Sequence, residues 1–374
     1  MRILHLLYES QGDYFGIGGV GIRAYEIYKR LRYRHDITLL CKKYPGAEDG
    51  EKEGLKHIFV GAESRSFAKT LLAYACQAAR YVERHGGEYD IIIEDFSPAI
   101  PTFLNAVTKR AVILQVQGYT GRLYFRKYNL LYASVLSLME LLRPGFYDNF
   151  IFVNSETAKK FLLNREKRTA VISNGVSPDL LGRAPGEGDY VLYLGRLDMY
   201  GKGLDILLGA YREFHKSFPD IRLVIAGDGR DRKVFDAEVL KLPEEVRKNI
   251  ELPGWVSGDK KAEFISNSLF TVFPSRHEVQ AIAVLEAMAC AKTVVVSDIP
   301  EFGFVRNNGA GLSFKTGDAL SLAQSMKYLA TNDERKEMGQ RGREWVKDFT
   351  WDKIAEEYER FLNELAEKEE KLIS

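Results

Sequence analysis

Short apolar runs alternate with helical patterns along the first half of the chain. Residues 2–8 form an apolar run without polar alternation, as expected for a parallel strand that is buried on both faces. Runs of the same kind follow at residues 36–41, 57–60, 89–93, 111–116, 149–154 and 169–173. Helical apolar spacing lies between several of them. This alternation predicts a doubly wound parallel sheet.

The alternation stops at residues 177–189, which concentrate Pro and Gly without apolar periodicity, and it restarts at residue 190. The chain of 374 residues is also too long for one ordinary core. We therefore predict an α/β protein of two Rossmann-like domains that face each other across a cleft. The predicted parts are an N-terminal domain at 1–178, a linker at 179–189, a second domain at 190–350 and a charged helix at 351–374.

Charge and cysteine content narrow the class of protein. The chain has 53 Lys+Arg and 52 Asp+Glu, but the first 180 residues hold 25 basic and 19 acidic residues, which favours an acidic partner such as an anionic membrane surface. Three distant cysteines argue against a disulfide framework or a zinc site. Residues 130–142 are too few to span a bilayer and include Glu140. We expect a cytoplasmic protein, with peripheral contact at the inner membrane face left open.

A glycine loop follows the first strand. Gly16, Gly18 and Gly21 match the spacing of a dinucleotide fingerprint. The loop begins about seven residues beyond the strand, farther than that motif allows, and the second strand ends in Cys41-Lys42-Lys43 instead of an acid. These details argue against NAD. The loop can still offer backbone N–H groups to a phosphate, and the alternative is a bare turn.

Two cations surround the start of the helix after the strand at 190–195. Arg196 follows Gly195 directly, and Lys202 precedes Gly203. An Arg fork and a Lys point charge at a helix N-terminus suit a diphosphate. The alternative is a pair of ordinary surface cations.

The segment 274–290 has the same strand, loop and helix order, with two glutamates. Glu278 lies in the loop, and Glu286 lies eight residues later in the predicted helix. The backbone N–H groups of Gln280, Ala281 and Ile282 would point at an anionic ligand. Glu286 could accept hydrogen bonds from two ribose hydroxyls, and Glu278 could contact a sugar ring. The alternative is one more βα unit with solvated glutamates.

Polar residues also follow two strands of the first domain. Gln117 and Tyr119 come after the strand at 111–116, and Glu94-Asp95 come after the strand at 89–93. Ligands of open α/β sheets bind at such carboxyl ends. Asp95 and Tyr119 are therefore candidates on the acceptor side, and solvated strand ends are the alternative. We find no Asp-x-Asp and no His/Asp/Cys cluster for a metal.

Taken in order, these motifs resemble the retaining GT-B glycosyltransferases of family 4. The resemblance extends over nearly the whole chain. It rests on Gly18-Gly-Val-Gly21, Asn174-Gly-Val176, Gly195-Arg-Leu197 with Lys202-Gly203, Ala226-Gly-Asp-Gly229, Gly254-Trp-Val256, Pro274-Ser275 with Glu278 and Glu286-Ala-Met288, Ser297-Asp-Ile-Pro300 and Phe349-Thr-Trp351.

The resemblance implies a nucleotide-sugar donor held mainly by the second domain. It implies that Arg196 and Lys202 bind the diphosphate, that Glu286 binds ribose and that Val256 lies near the base. Glu278 would lie beside the donor sugar. Gly18, Gly19 and Gly21 would close over the diphosphate from the first domain, and the final helix would cross back to that domain.

The sequence departs from the family pattern at three places. Gln117 stands where the family usually has a histidine, and Gln can form hydrogen bonds but cannot titrate. Val279-Gln280-Ala281 replaces Gly-Phe-Gly after Glu278, and Ala291 replaces a common glycine. We expect Glu278, Gln117, Arg196 and Lys202 to serve catalysis, without a cofactor or a metal.

The leading hypothesis is transfer of a hexosyl unit, with retention, from a UDP- or GDP-linked donor to a hydroxyl of a glycan, a lipid-linked acceptor or a small molecule. One alternative is a nucleotide-sugar-binding protein with reduced or lost turnover. Others are a sugar-nucleotide epimerase, a sugar phosphorylase or, third, a dehydrogenase. Nucleic acid is not expected as a partner.

Overall fold

The structure is a computed structural model that describes residues 1–10, 18–64, 66–161 and 167–373. The chain forms two compact units. One contains Met1–Asn174 and Trp351–Ser374, and the other contains Gly175–Thr350. Each unit has its own sheet within the described residues. The predicted pair of parallel-sheet α/β domains is confirmed.

The sheet of the first unit has the strand order β3-β4-β2-β1-β5-β6-β7-β8. Every neighbouring pair is parallel except β3 and β4 at one edge. The strands are β1 (Arg2–Leu7), β2 (Asp36–Lys42), β3 (Gly50–Lys52), β4 (Leu55–Val60), β5 (Ile91–Asp95), β6 (Ala111–Val116), β7 (Asn149–Phe152) and β8 (Arg168–Val171). The central strands β1, β5, β6 and β7 are almost wholly buried, which explains their continuous apolar sequence.

The helices of the first unit are α1 (Gly19–Leu31), α2 (Phe67–His85), α3 (Tyr124–Lys127), α4 (Leu130–Leu142), α5 (Ser155–Lys160) and, from the far end of the chain, α15 (Trp351–Ile373). α15 packs on α1. The Tyr358 and Tyr28 rings meet edge to face at 6.2 Å, and Arg30 donates to Asp352 at 2.5 Å. The prediction that the final helix belongs to the first domain is confirmed.

The sheet of the second unit has the order β11-β10-β9-β12-β13-β14, and all its neighbouring strands are parallel. Its strands are β9 (Tyr190–Leu194), β10 (Arg222–Ala226), β11 (Ile250–Gly254), β12 (Phe270–Phe273), β13 (Val294–Ser297) and β14 (Gly311–Phe314). Its helices are α6 (Pro178–Leu181), α7 (Leu204–His215), α8 (Arg232–Leu240), α9 (Glu244–Arg247), α10 (Gly258–Ser266), α11 (Ile282–Ala289), α12 (Gly303–Asn307), α13 (Ala319–Thr331) and α14 (Glu334–Val346).

The segment predicted as a linker, 179–189, is attached to the second unit. Its first residues belong to α6, whose Leu180 is buried in the apolar core of that unit. The N–H groups of Gly186 and Gly188 donate to the carbonyls of Ser266 and Asn267, both at 2.8 Å. The division between the units therefore falls earlier, between Asn174 and Gly175.

A buried arginine of α1 holds the chain where it leaves the first unit. The Arg23 guanidinium donates to the carbonyls of Ser173 and Ile172 and to the side chain of Asn174. Burial lowers the pKa of Arg23 to about 10, so the group remains charged at neutral pH. Among the described residues, no helix is long and apolar enough to cross a membrane.

Candidate functional site

Glycines bring the loops after three strands of the second unit close together. A Cβ on Gly227, after β10, would collide with the carbonyl oxygen of Gly195, after β9. Gly203 has φ +67° and lies against the carbonyl of Pro274, after β12, so a side chain there would be both strained and blocked. The carboxyl ends of β9, β10 and β12 therefore form one edge at which polar residues meet.

Arg196 lies at this edge with an exposed side chain. The buried Tyr193 hydroxyl donates to the Arg196 carbonyl at 2.8 Å and so fixes the backbone at this point. Within the part of the chain that the structure describes, the Arg196 guanidinium has no hydrogen bond or ion pair. A fixed backbone with an unpaired Arg fork is suited to binding an anion.

The loop that carries Lys202 is held at both ends. The Asp198 carboxylate accepts from the N–H of Gly201 at 2.7 Å, and Asp231 accepts from the N–H of Met199 at 3.0 Å. These bonds close a tight turn directly before α7. The position of Lys202 therefore depends on hydrogen bonds that backbone N–H groups donate to two separate acids.

Lys202 and Glu278, both predicted from the sequence, are in direct contact. Lys202 Nζ lies 2.5 Å from Glu278 Oε1, and the Ser275 hydroxyl donates to the same oxygen at 2.8 Å. The side chains of Lys202 and Glu278 are 24% and 11% exposed. The contact thus places a partly accessible cation and a carboxylate together where the β9 and β12 loops meet.

A second arginine ties these two loops together. The Arg276 guanidinium forms two hydrogen bonds with the Asp205 carboxylate in α7, at 2.7 and 2.6 Å, and the Arg276 N–H donates to the Gly201 carbonyl. The hydrogen bonds to Asp205 raise the pKa of Arg276. This pair stabilises the geometry of Lys202 and Glu278.

The start of α11 carries the remaining predicted donor residues. The helix follows Ala281 without a side-chain cap, and the N–H groups of Ala281 and Ile282 have no partner among the described residues. Gln280 lies in the loop that leads into it. The Glu286 side chain is mostly buried, and its Oε1 accepts from Lys261 Nζ in α10 at 2.5 Å. Any ribose bound by Glu286 would share it with Lys261.

Two further positions of the second unit, Val256 and Ala291, were singled out in the sequence. Val256 is buried in the apolar core, so its side chain is not available to a base. Ala291, which replaces a common glycine of the resembled family, has φ +54°, in the left-handed region. The backbone conformation typical of glycine at a helix C-terminus is therefore kept there despite the Cβ.

In the first unit, Asp95 organises a buried polar cluster at the carboxyl ends of β1, β5 and β6. Its Oδ1 accepts from the side-chain amides of Gln115 and Gln117, at 2.7 and 2.8 Å, and its Oδ2 lies 2.9 Å from His5 Nε2. The other ring nitrogen of His5 contacts the Tyr28 hydroxyl at 2.8 Å. Asp95 is 2% exposed, so it orients Gln117 and is not itself accessible to an acceptor.

The neighbouring Glu94 lies on the opposite face of the sheet, as alternation along a strand requires. It pairs with Arg143 and accepts from Tyr147 at 2.7 Å and from Thr102. Burial raises the pKa of Glu94, against the opposing effect of Arg143. The two adjacent acids thus belong to separate clusters.

Tyr119 lies in a loop that α4 holds in place. Glu140 of α4 accepts from the N–H groups of Thr120 and Gly121, both at 2.7 Å. Burial raises the pKa of Glu140, although these N–H groups favour its ionised form. The Tyr119 ring packs edge to face on Phe161 at 5.6 Å.

The glycine loop of the first unit is closed by a carboxylate. Glu9 Oε2 accepts from the N–H groups of Gly18 and Gly21, at 2.9 and 3.2 Å. A Cβ on Gly18 would lie 2.7 Å from that carboxylate, whereas Gly19 has open space. Gly16 lies outside the described residues. Among the described residues, no group of three His, Cys, Asp or Glu side chains could hold a metal ion.

Several residues of the site were missed in the sequence. Ser275, Lys261 and Glu9 contact predicted residues directly, whereas Asp231 and Asp205 hold the loops that carry them. None of these five was identified as a site residue from the sequence.

Comparison with known proteins adds the family evidence. Residues 182–345 match the family Glycosyl transferases group 1, and residues 17–180 match Glycosyltransferase Family 4. An uncharacterized glycosyltransferase of Methanocaldococcus jannaschii is 30% identical over 370 residues, which cover 94% of this chain and 96% of that protein.

Two other proteins are similar over different extents. A phosphatidyl-myo-inositol mannosyltransferase of Mycobacterium leprae is 31% identical over 222 residues, which cover 57% of this chain and 58% of that protein. The crystal structure of HepE from Anabaena in complex with UDP and glucose superposes with a TM-score of 0.76 at 16% identity, covering 97% of this chain and 100% of that one. The structural likeness concerns the fold.

Proposed function

The chain belongs to the group 1 glycosyltransferases, with the GT-B fold, and from this premise we propose that it transfers a hexosyl unit from a UDP- or GDP-linked donor to an acceptor hydroxyl, with retention of configuration. The donor side of the proposal rests on the second unit. The acceptor side rests on the first unit.

The observation that carries the proposal is the contact between Lys202 and Glu278. A lysine has three N–H donors, so Lys202 can keep Glu278 in place and also donate to a phosphate oxygen. Arg196 adds a guanidinium that is unpaired within the described residues, and the N–H groups of Ala281 and Ile282, which have no partner there either, add partial positive charge. Together they provide cations for a diphosphate and, directly beside Lys202, a carboxylate for the sugar.

The proposed reaction is a substitution at the anomeric carbon. The bond from this carbon to the phosphate oxygen breaks, and a bond to the acceptor oxygen forms on the same face. The acceptor proton passes to the departing phosphate oxygen, so no separate base is needed. Arg196 and Lys202 stabilise the negative charge that develops on the diphosphate. Because these cations are present, we expect no metal requirement.

The nucleotide is expected to contact the residues around α11. Glu286, with Lys261 beside it, would accept from ribose, and the backbone at Val256 would contact the base. The similar HepE structure contains UDP, which favours a uridine nucleotide, and GDP remains an alternative.

The sugar and the acceptor are assigned to residues of the first unit. Asp95 fixes one N–H of Gln117, so this side chain can offer its carbonyl oxygen and one further N–H to a sugar. Tyr119 is the candidate acceptor contact. The M. leprae relative is named for a phospholipid acceptor, which supports a lipid-linked acceptor and peripheral membrane contact over a soluble glycan.

The deciding experiment combines a nucleotide panel with one arginine substitution. We expect UDP or GDP, but not ADP, to raise the apparent Tm, because a bound ligand stabilises the folded state. Arg196→Ala should weaken nucleoside diphosphate binding about tenfold to a hundredfold, since charge-assisted hydrogen bonds are lost. Arg212→Ala is the matched control, because Arg212 is exposed on α7 and unpaired within the described residues.

Each other outcome has a defined meaning. If Arg196→Ala binds nucleotide and transfers sugar as well as the wild type does, the donor assignment is wrong. Nucleotide-sugar binding with no transfer or donor hydrolysis across many acceptors would indicate a binding protein. Product analysis by NMR distinguishes transfer with retention from epimerisation or phosphorolysis.

A further inference from the structure

One helix of the first unit exposes an apolar face. Along α4, Leu131, Val135, Leu138 and Leu142 recur at spacings of four, three and four residues and so form one stripe. All are exposed, Leu131 by 78% and Leu138 by 50%. Other large apolar side chains on and beside the helix are exposed too: Phe125, Tyr128, Leu130, Tyr132, Leu141 and Phe146. We call these residues together the α4 face.

The helix is held so that this face points away from the rest of the unit. Ala133, Leu136 and Glu140 form its buried side. Glu140 binds two backbone N–H groups of the Tyr119 loop and also accepts from the Tyr124 hydroxyl at 3.0 Å. Exposure of the α4 face is therefore a property of a fixed helix. Contiguous apolar surface of this kind marks an interaction site.

Charge around the α4 face indicates the kind of partner. Arg122 and Arg126 are exposed just before the helix, and Arg143 is buried against Glu94. Within residues 119–147 the sole acidic residue is Glu140, which is buried. An anionic surface therefore meets basic side chains and no exposed carboxylate. A second copy would bring the same basic residues and no exposed acid to pair with them.

The dimensions of α4 fit a position in the plane of a membrane surface. Its 13 residues extend about 20 Å, less than the roughly 30 Å of a hydrocarbon core. Tyr128 and Tyr132 pack edge to face at 5.2 Å beside the stripe, and tyrosines are favoured at the headgroup level. Such a helix lies on a bilayer with its apolar face inserted.

We propose that the α4 face docks the protein on an anionic lipid bilayer by inserting its leucine side chains. This docking would bring a lipid-linked acceptor close to Tyr119, because α4 holds the loop that contains Tyr119. That role rests on the proposed function. The docking does not require turnover, so the two can be tested separately.

The test measures partition of the full chain onto vesicles of phosphatidylglycerol and phosphatidylethanolamine by co-sedimentation. The double variant Leu131→Gln/Leu138→Gln should partition at least about tenfold more weakly than the wild type, because two inserted apolar side chains are lost. The control is Leu240→Gln/Leu320→Gln, which changes two leucines that are 65% and 63% exposed in the second unit. It should partition like the wild type.

Three results would overturn the proposal. These are a wild type that does not partition at low salt, an α4 variant that partitions like the control, and an α4-dependent dimer in light scattering without vesicle binding. The last result would assign the face to a second copy. Nucleotide binding is measured on the same samples. Vesicle binding without nucleotide binding would refute the proposed function and leave the docking surface in place.

Discussion

The starts of α1 and α11 show how two similar strand, loop and helix arrangements differ in what they offer. At α1, the N–H groups of Gly18 and Gly21 bind the Glu9 carboxylate. At α11, the N–H groups of Ala281 and Ile282 have no partner among the described residues, and the acid of the preceding loop, Glu278, is bound by Lys202 and Ser275 instead. The N–H groups at the start of α1 are thus occupied by a carboxylate of the protein itself, whereas those at the start of α11 are available to a ligand.

The difference shows that a glycine-rich loop is not by itself a phosphate site. Both helices offer the same partial positive charge at their N-termini. At α1, the Glu9 carboxylate binds to this partial positive charge. Near α11, Glu278 is instead bound by the Lys202 ammonium and the Ser275 hydroxyl. We infer that the second unit carries the main anion-binding role, and that any anion at α1 must compete with Glu9.

The largest effect should come from changing the acid beside the open helix. Glu278→Gln should lower the rate of sugar transfer about a hundredfold, because the charged contact with Lys202 is lost, together with the contact that we propose with the reacting sugar. Binding of the nucleoside diphosphate alone should not weaken, because the substitution removes a negative charge beside Lys202. Steady-state kinetics and calorimetry measure both. Glu245→Gln, an exposed acid on α9, is the control, and equal rates for the two variants would remove Glu278 from the mechanism.

A medium effect, on thermal stability, should distinguish substitutions at the two neighbouring glycines Gly18 and Gly19 at the start of α1. In Gly18→Ala, the new Cβ displaces the Glu9 carboxylate, and the loss of its hydrogen bonds should lower the Tm of the first unit by about 2–4 °C. In Gly19→Ala the Cβ meets open space, so the Tm should stay the same or rise. Hydrogen exchange at the Gly21 amide should accelerate in the first variant alone. Similar Tm values for both would mean that Glu9 does not close the helix.

The smallest effect should come from neutralising Glu9. Glu9→Gln removes one negative charge from the start of α1, so the Kd for the nucleoside diphosphate should fall about twofold to fivefold at low salt. The control is Glu51→Gln, at an exposed residue of β3. An unchanged Kd would show that the glycine loop takes no part in binding the diphosphate and that the two helix starts differ in role as well as in occupancy.

Much of the fold could be predicted because buried strands appear in the sequence as continuous apolar runs. β6, a continuous apolar run buried on both faces, was predicted with its observed bounds. β3, Gly50–Lys52, is an exposed antiparallel edge strand with no apolar residue, so no period could indicate it. Residues 179–189 were predicted as a linker because their Gly and Pro content is that of a loop. The hydrogen bonds from Gly186 and Gly188 to Ser266 and Asn267, at the end of α10, have no counterpart in that composition.

The sequence provided candidate site residues but not the contacts between them. The sequence selected Arg196, Lys202 and Glu278 from their places after strands, and the contact between the last two joins residues 76 positions apart. Glu286 was expected to be available to ribose and is paired with Lys261. Such pairings depend on which loops become neighbours, and a single sequence does not contain that information.

The discontinuity of the first unit has a consequence for the order of synthesis. On the ribosome, all of Gly175–Thr350 is made before α15, so the second unit can fold while α1 still lacks its packing partner. During that interval Tyr28 and the ion-pairing residue Arg30 of α1 have neither Tyr358 nor Asp352 to contact. At about 5–20 residues per second the interval lasts on the order of ten seconds or more. The nascent first unit thus lacks the packing of α15 on α1 throughout the synthesis of its neighbour.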